Sequence, residues 1–360
     1  MTLPREGDTV LVTGGAGFIG SNLADRLAGE GCRVRVLDSL TRPGVEGNLQ
    51  WLSSEHGNLI EPVVADICDR DKVEAAIDGV RAVFHFAAQV AVTTSMADPV
   101  DDFATNLQGT FNLLEAVRRT RPDAPVIFAS TNKVYGDLAD VDLHLSDRGY
   151  IPEDRVLSTH GVPETRPLDF HTPYGCSKGA ADQYVLDYAR SYGLRTAAMR
   201  MSCIYGPRQC GSEDQGWVAH FLIQALQGKP ITLFGDGEQV RDVCHVADAC
   251  EAYLRLLERI DTLSGSAFNW GGGPANAVSL LTVVEEIGRI TGEPPRVEFA
   301  DWRPGDQRWF VADTRAAERA LDLPARTGWR EGLRDLAEWL MRERGLRFAQ
   351  PAQTARVFAL

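Results

Sequence analysis

Thr9-Val10-Leu11-Val12-Thr13-Gly14-Gly15-Ala16-Gly17-Phe18-Ile19-Gly20, continued by Ser21-Asn22-Leu23-Ala24-Asp25-Arg26-Leu27-Ala28, is the stretch that decides the fold. Its first five residues are an apolar, β-branched run that reads as a strand. The residues after Gly20 carry apolar side chains at helical spacing, so the order is strand, glycine turn, helix. The glycines let backbone approach a pyrophosphate, and the helix N-terminus offers free N–H groups and a positive dipole end. A second strand, Arg33-Val34-Arg35-Val36-Leu37, ends in Asp38, eighteen residues after Gly20. An acid there suits an adenosine ribose diol and disfavours a 2′-phosphate.

Strands and helices go on alternating to about residue 200, with Val83–Phe86, Val126–Ala129 and Thr196–Arg200 as central strands. That is the pattern of an α/β protein with a doubly wound parallel sheet. Beyond 201 the chain is richer in turns, as at Gly235-Asp236-Gly237 and Gly271-Gly272-Gly273-Pro274. The expected division is 1–200 for a dinucleotide-binding domain, 201–345 for a smaller, interleaved substrate lobe, and 346–360 for a tail.

A second motif lies in Pro173-Tyr174-Gly175-Cys176-Ser177-Lys178. A Tyr four residues ahead of a Lys shares one helix face with it. A phenol titrates near 10 unaided, and a neighbouring ammonium favours its ionised form. Cys176 is not read as a nucleophile, since no activating His is adjacent.

Gly-x-x-Gly-x-x-Gly together with Tyr-x-x-x-Lys resembles the extended short-chain dehydrogenase/reductase family, in its NAD-dependent epimerase/dehydratase branch, from about residue 8 to about 342. The resemblance implies a Rossmann-type fold and a tightly held NAD that oxidises a sugar carbon transiently. It implies cofactor contacts at Gly14, Gly17, Phe18, Ile19, Gly20 and Asp38, then at Asp66, Ile67, Ala87, Ala88, Gln89 and Asn106. Ser130, Tyr174, Lys178 and Met201 complete that set. Tyr174, Lys178 and Thr131 would be catalytic, with Thr131 in the place of the family's catalytic Ser/Thr. Gln89, Thr94, Thr131, Asn132, Lys133, Cys203, Arg208, Gln215, Arg241, Arg303 and Asp306 would meet a nucleotide-diphosphate sugar. No metal is implied. Helices around Phe103–Arg119 and Ala180–Ser191 pair across a two-fold axis in the family, which implies a homodimer through a helix bundle.

Where 4,6-dehydratases of the branch carry Asp and Glu after the Ser/Thr, this chain has Asn132 and Lys133. An amide is no proton donor of carboxylic strength, and an ammonium is no base, so elimination of water is not expected. Lys133 stays open between a paired cation and a substrate contact. Several further stretches, including Gln89–Ser95, Ser130–Asp137, Leu168–His171 and Gly237–Val243, resemble the CDP-paratose 2-epimerase (CDP-tyvelose epimerase) group. They imply an isomerase that inverts C2 of a CDP-(deoxy)hexose. Inversion at C4, or another C4-oxidising reaction, is the alternative. A non-catalytic NAD-sensing regulator fits less well, because such relatives lose the Tyr or the Lys. Leu138 to Leu168 reads as a substrate-covering loop.

Composition narrows the partners. The chain has 360 residues, 44% apolar and 24% charged, and a formal charge of −13. That charge argues against nucleic acid or an anionic membrane. An anionic sugar nucleotide must then be held by local arginines. No basic, apolar leader is read at Met1–Gly7. Seven cysteines, an odd number without metal spacing, fit reduced thiols in a cytoplasm.

Overall fold

The computed structural model describes residues 3–346; all of the expected tail but Leu346 lies outside the described residues. Seven strands form one sheet: β1 (Thr9–Thr13), β2 (Arg33–Asp38), β3 (Ile60–Val64), β4 (Ala82–His85), β5 (Val126–Thr131), β6 (Thr196–Met201) and β7 (Ser266–Trp270). Their spatial order is β7-β6-β5-β4-β1-β2-β3 and every pairing is parallel. The chain therefore starts in the middle of the sheet and reverses direction between β1 and β4. In such sheets ligands bind at this reversal, beyond the C-terminal strand ends.

Alternation along β1 divides the core. Val10 and Val12 pack with Leu23, Ala24 and Leu27 of the first helix and with Tyr253, Leu256 and Leu257 of helix Val246–Glu258. Leu11 faces the other way, toward Leu113, Val117 and Val185 of helices Gly109–Thr120 and Thr172–Tyr192. Helices thus cover both faces, as the doubly wound reading requires. The seventh strand comes from residues 266–270, after the chain has already left the sheet.

Residues 201–346 add two smaller sheets. Val240–His245 pairs with Cys203–Tyr205, Ala277–Ser279 and Trp309–Phe310, and Ile231–Phe234 pairs with Val297–Ala300. The segment 138–168 corrects an expectation. It folds as a hairpin, Leu143–Ser146 with Gly149–Pro152, followed by helix Arg155–His160. Val162 then bridges to Ala312, and the Val162 N–H donates to Val311. Its apolar residues Val141, Leu157 and Val162 are drawn into a core with Phe310, so the segment is a packed unit with its own secondary structure and not a loop.

Candidate active site

At the end of β1 the chain turns through Gly14, whose φ is +66°. A Cβ there would lie 2.6 Å from the Ala87 nitrogen, and one on Gly20 would lie 2.2 Å from the Gly14 carbonyl oxygen. The turn can close against β4 and helix Phe18–Gly29 only without side chains at these positions. Gly17 caps that helix with no side-chain acceptor, leaving its first N–H groups free. Asp38 accepts from the Ala16 N–H at 3.0 Å and from the Leu40 N–H at 2.9 Å, which fixes its carboxylate at the mouth of the turn. Burial raises its pKa, and those backbone donors oppose the rise.

The other expected cofactor residues ring the same strand ends. Ile67 is buried against Gly109, and Asp66 accepts from the Cys68 N–H at 2.8 Å. Phe18, Ile19 and Met201 pack partly buried onto the core. Ala87 and Ala88 follow β4, half-buried. His85, below them, is held between Thr13 (2.6 Å) and Thr110 (3.0 Å), and burial pulls its pKa down to about 3. It is a neutral core histidine. The fit to a dinucleotide is seen in the glycine cradle, the uncapped helix and two orphaned acceptors. The Ser130 hydroxyl, near the C-terminal end of β5, and the Asn106 Oδ1 are buried with no hydrogen-bond partner among the described residues.

Tyr174 and Lys178 sit in the first turns of helix Thr172–Tyr192, whose second residue is Pro173. The Tyr174 N–H is anchored on the Ser95 hydroxyl at 3.2 Å. Thr172 enters the helix at φ +63°, a strained conformation for a β-branched residue. Thr131, at the end of β5, places its hydroxyl where it favours the ionised form of Tyr174. The Lys178 ammonium donates to the Ala129 carbonyl at 2.7 Å and lies 4.1 Å from the centre of the Phe128 ring. Here the structure departs from expectation. Burial pushes the Tyr174 phenol up to about 12, and the Thr131 hydroxyl opposes only part of that rise. Burial also pulls Lys178 down to about 7 against the favourable field of Asp182 and Asp102. Both groups are desolvated, and desolvation disfavours both charges.

A cleft of about 280 Å³ opens beside them. Thr131, Asn132, Lys133, Tyr174, Cys203, Gln215, Arg241, Arg303 and Asp306 line it together. Gln89, Thr94 and Arg208 are not brought there. Gln89 donates to Asp102 at 3.0 Å and closes a loop onto Ala91. Thr94 is exposed, and its neighbour Thr93 lines the cleft with a buried, unpartnered hydroxyl. The Arg208 guanidinium is stacked 3.7 Å from the centre of the Trp51 ring, with Trp339 at 5.5 Å. Arg241 and Asp306, expected separately on substrate, also bind each other at 2.7 Å. Arg303 stacks on Phe234 at 3.7 Å and donates to the Glu213 carbonyl at 3.0 Å.

Sequence reasoning missed Asp102. It is fully buried, and its carboxylate accepts from Ser177 (2.5 Å), Gln89 (3.0 Å) and Asn106 (3.0 Å). Its place four residues before Asn106, on the same helical face, was the available signal. The two are joined by a π-helical turn, Ala104–Gln108, a feature frequent at functional sites. Gln307 was missed too: it accepts from Asn132 at 3.3 Å and donates to the Gly136 carbonyl at 2.7 Å. Among the described residues, no three His, Cys, Asp or Glu side chains are grouped to hold a metal ion. No helix there is long and apolar enough to cross a membrane.

A doubly wound parallel sheet thus carries Tyr174 and Thr131 to one cleft, with Lys178 buried one helical turn beyond Tyr174, an arrangement suited to redox chemistry on a hydroxyl. A sequence profile of the NAD dependent epimerase/dehydratase family matches residues 10–271, and the chain belongs to that family. It is an NAD-dependent enzyme of the epimerase class. The chain is 42% identical over 337 residues to the CDP-paratose 2-epimerase of Salmonella typhi, covering 92% of this chain and 98% of that protein. The Thermus thermophilus UDP-glucose 4-epimerase, solved in complex with NAD, is 33% identical with a TM-score of 0.77 over 92% of this chain and 98% of that one. The Bacillus cereus UDP-glucuronic acid 4-epimerase, in complex with UDP-glucuronic acid and NAD, is 27% identical with a TM-score of 0.80. That match covers 93% of this chain and 99% of the other.

Proposed function

We propose that the protein inverts C2 of a CDP-(deoxy)hexose by transient oxidation of that carbon. The observation that carries the choice of carbon and nucleotide is the 42% identity to a CDP-paratose 2-epimerase along nearly the whole of both chains. The geometry supports the redox chemistry: Tyr174 and Thr131 line one cleft, and no carboxylate stands at 132 or 133 to drive elimination.

In this reading residues 1–200 hold NAD, and 201–345 hold the nucleotide sugar across the cleft. Gly14, Gly17 and Gly20 admit the pyrophosphate, Asp38 takes the adenosine ribose diol, and Asp66 with Ile67 bounds the adenine. Bound NAD would supply a reversible hydride acceptor for the sugar carbon. Tyr174 takes the proton of the C2 hydroxyl and gives it back, while Thr131 donates to the oxygen that develops negative charge. Lys178, already facing the buried end of the site, offers its charge to the phenolate once Tyr174 ionises. Arg241 and Arg303 register the diphosphate, so the sugar turns over while its leash stays fixed.

The protein acts as a cytoplasmic homodimer in this reading. Support for the dimer comes from an apolar band on and next to the helices named for it: Phe103 and Tyr184 within them, and Met96, Val100 and Tyr192 just outside, are all exposed. Such a band on a chain of high net charge suits a second copy. The functional test is an NMR screen of purified protein against CDP-, UDP- and GDP-hexoses and CDP-paratose. Inversion at C2 of a cytidine sugar is the expected outcome. Inversion at C4 of a uridine sugar would replace it with the reading that the 27–33% identical structures suggest.

A further inference from the structure

Lys133 follows Thr131 by two residues in the turn that leaves β5, and its side chain reaches into the cleft with a fifth of its surface open. An ammonium has three donors. One is used, on the Gly305 carbonyl at 3.1 Å. The nearest carboxylate, Asp306, is 4.0 Å away and is already engaged by Arg241 at 2.7 Å and by the Gln307 N–H at 3.0 Å. Lys133 is therefore a largely buried cation with donors to spare, on the wall of the cleft that Tyr174 and Thr131 also line. A buried charge whose carboxylate is 4.0 Å away and shared with Arg241 is costly unless something completes it.

We propose that Lys133 is a specificity-determining residue: it donates a charge-assisted hydrogen bond to a hydroxyl of the hexose beside the carbon that faces Tyr174, and so sets which carbon is presented. The inference rests on the nucleotide-sugar reading above and names a contact that reading leaves unassigned. A single flexible stem, tethered at one point, can follow the sugar as it turns over, which a rigid guanidinium fork cannot do.

Burial pulls the Lys133 pKa down to about 8, with Asp306 and Asp137 raising it, Arg241 lowering it and Cys203 raising it. Below that pH the lysine keeps its charge; above it, the charged donor is lost. Three consequences follow for binding measured by calorimetry with the whole protein. Lys133→Met weakens CDP-glucose by roughly 10- to 100-fold, the scale of one hydrogen bond to a charged group, and leaves CDP within about twofold. Wild-type affinity for CDP-glucose falls as pH rises through about 8 while that for CDP does not. Lys133→Arg, which stays charged, flattens that pH dependence. Equal weakening of CDP and CDP-glucose in Lys133→Met would overturn the proposal and make Lys133 a fastener of the 303–306 loop. Unchanged CDP-glucose binding would overturn it outright. If neither cytidine ligand binds the wild type, the cytidine reading fails on its own, and UDP with UDP-glucose carries the same comparison. Failure of both pairs overturns the proposal with it.

Discussion

Tyr174→Phe is expected to lower turnover by roughly 10²–10⁴-fold with nucleotide-sugar affinity nearly unchanged, the range of a lost general acid–base group. The ring is buried, so phenylalanine packs in its place and only the hydroxyl is removed. Tyr174 lines the cleft with Thr131, and the lining residues include no carboxylate at 132 or 133 to take over as base. In the protein alone the phenol sits near 12, so the ionised fraction grows as pH rises toward that value. Wild-type turnover should therefore climb with pH on its acid side, and the variant's residual rate should lose that limb. Steady-state rates against pH, with affinity from calorimetry, check this. A variant that keeps turnover within about threefold of wild type would remove Tyr174 from the chemistry.

Asp182→Ala is expected to destabilise the fold by about 3–5 kcal/mol, because it strands a buried charge. Asp182 is fully buried on the helix that carries Tyr174 and Lys178, and it holds Arg200 of β6 through both oxygens, at 2.8 and 3.0 Å. Arg200 also donates to the Tyr135 hydroxyl at 3.0 Å, and Tyr135 donates to Asn269 at 2.8 Å. Asn269 in turn donates to the Val162 carbonyl at 2.8 Å, so one network ties the turn after β5, β6, β7 and the 138–168 segment to the helix. Without Asp182, Arg200 keeps a single neutral partner inside the protein. Urea unfolding measures the loss as a lower midpoint at unchanged slope. A shift worth less than about 1 kcal/mol would mean that water or repacking replaces the carboxylate.

The parts of this molecule legible in sequence are those set by neighbours along the chain. The turn from Gly14 to Gly20 could be read because its glycines answer to local backbone geometry and one adjacent strand. Tyr174 and Lys178 could be read because helical spacing alone aligns them. The strand alternation gave the sheet, and burial of β1, β4 and β5 on both faces followed from their apolar runs. What escaped depends on contacts distant in sequence. Asp102 meets Ser177 across 75 positions, and Asn132 meets Gln307 across 175. Thr93 and Thr94 differ only in which way a short helix is rotated, and nothing in a Thr-Thr pair specifies that. Arg208 is expected on the nucleotide sugar, and its stacking on Trp51 with Trp339 nearby joins residues too far apart in the chain to be foreseen. The pKa of Tyr174 was misjudged because spacing reveals a neighbouring charge but not the loss of water around it.

Transient oxidation at C2 can be told from proton exchange at C2 by one isotope measurement. C2 of the sugar has no adjacent carbonyl, so its C–H is not acidic enough for a phenolate to remove as a proton. Removal with its electron pair, held within one binding event and returned to the opposite face, keeps that hydrogen out of solvent. CDP-paratose carrying deuterium at C2, converted in ordinary water, should give an inverted product that retains the label fully. Unlabelled substrate in deuterated water should give product with no deuterium at C2. Loss of the label to water, or solvent deuterium at C2 of the product, would contradict direct oxidation of that carbon.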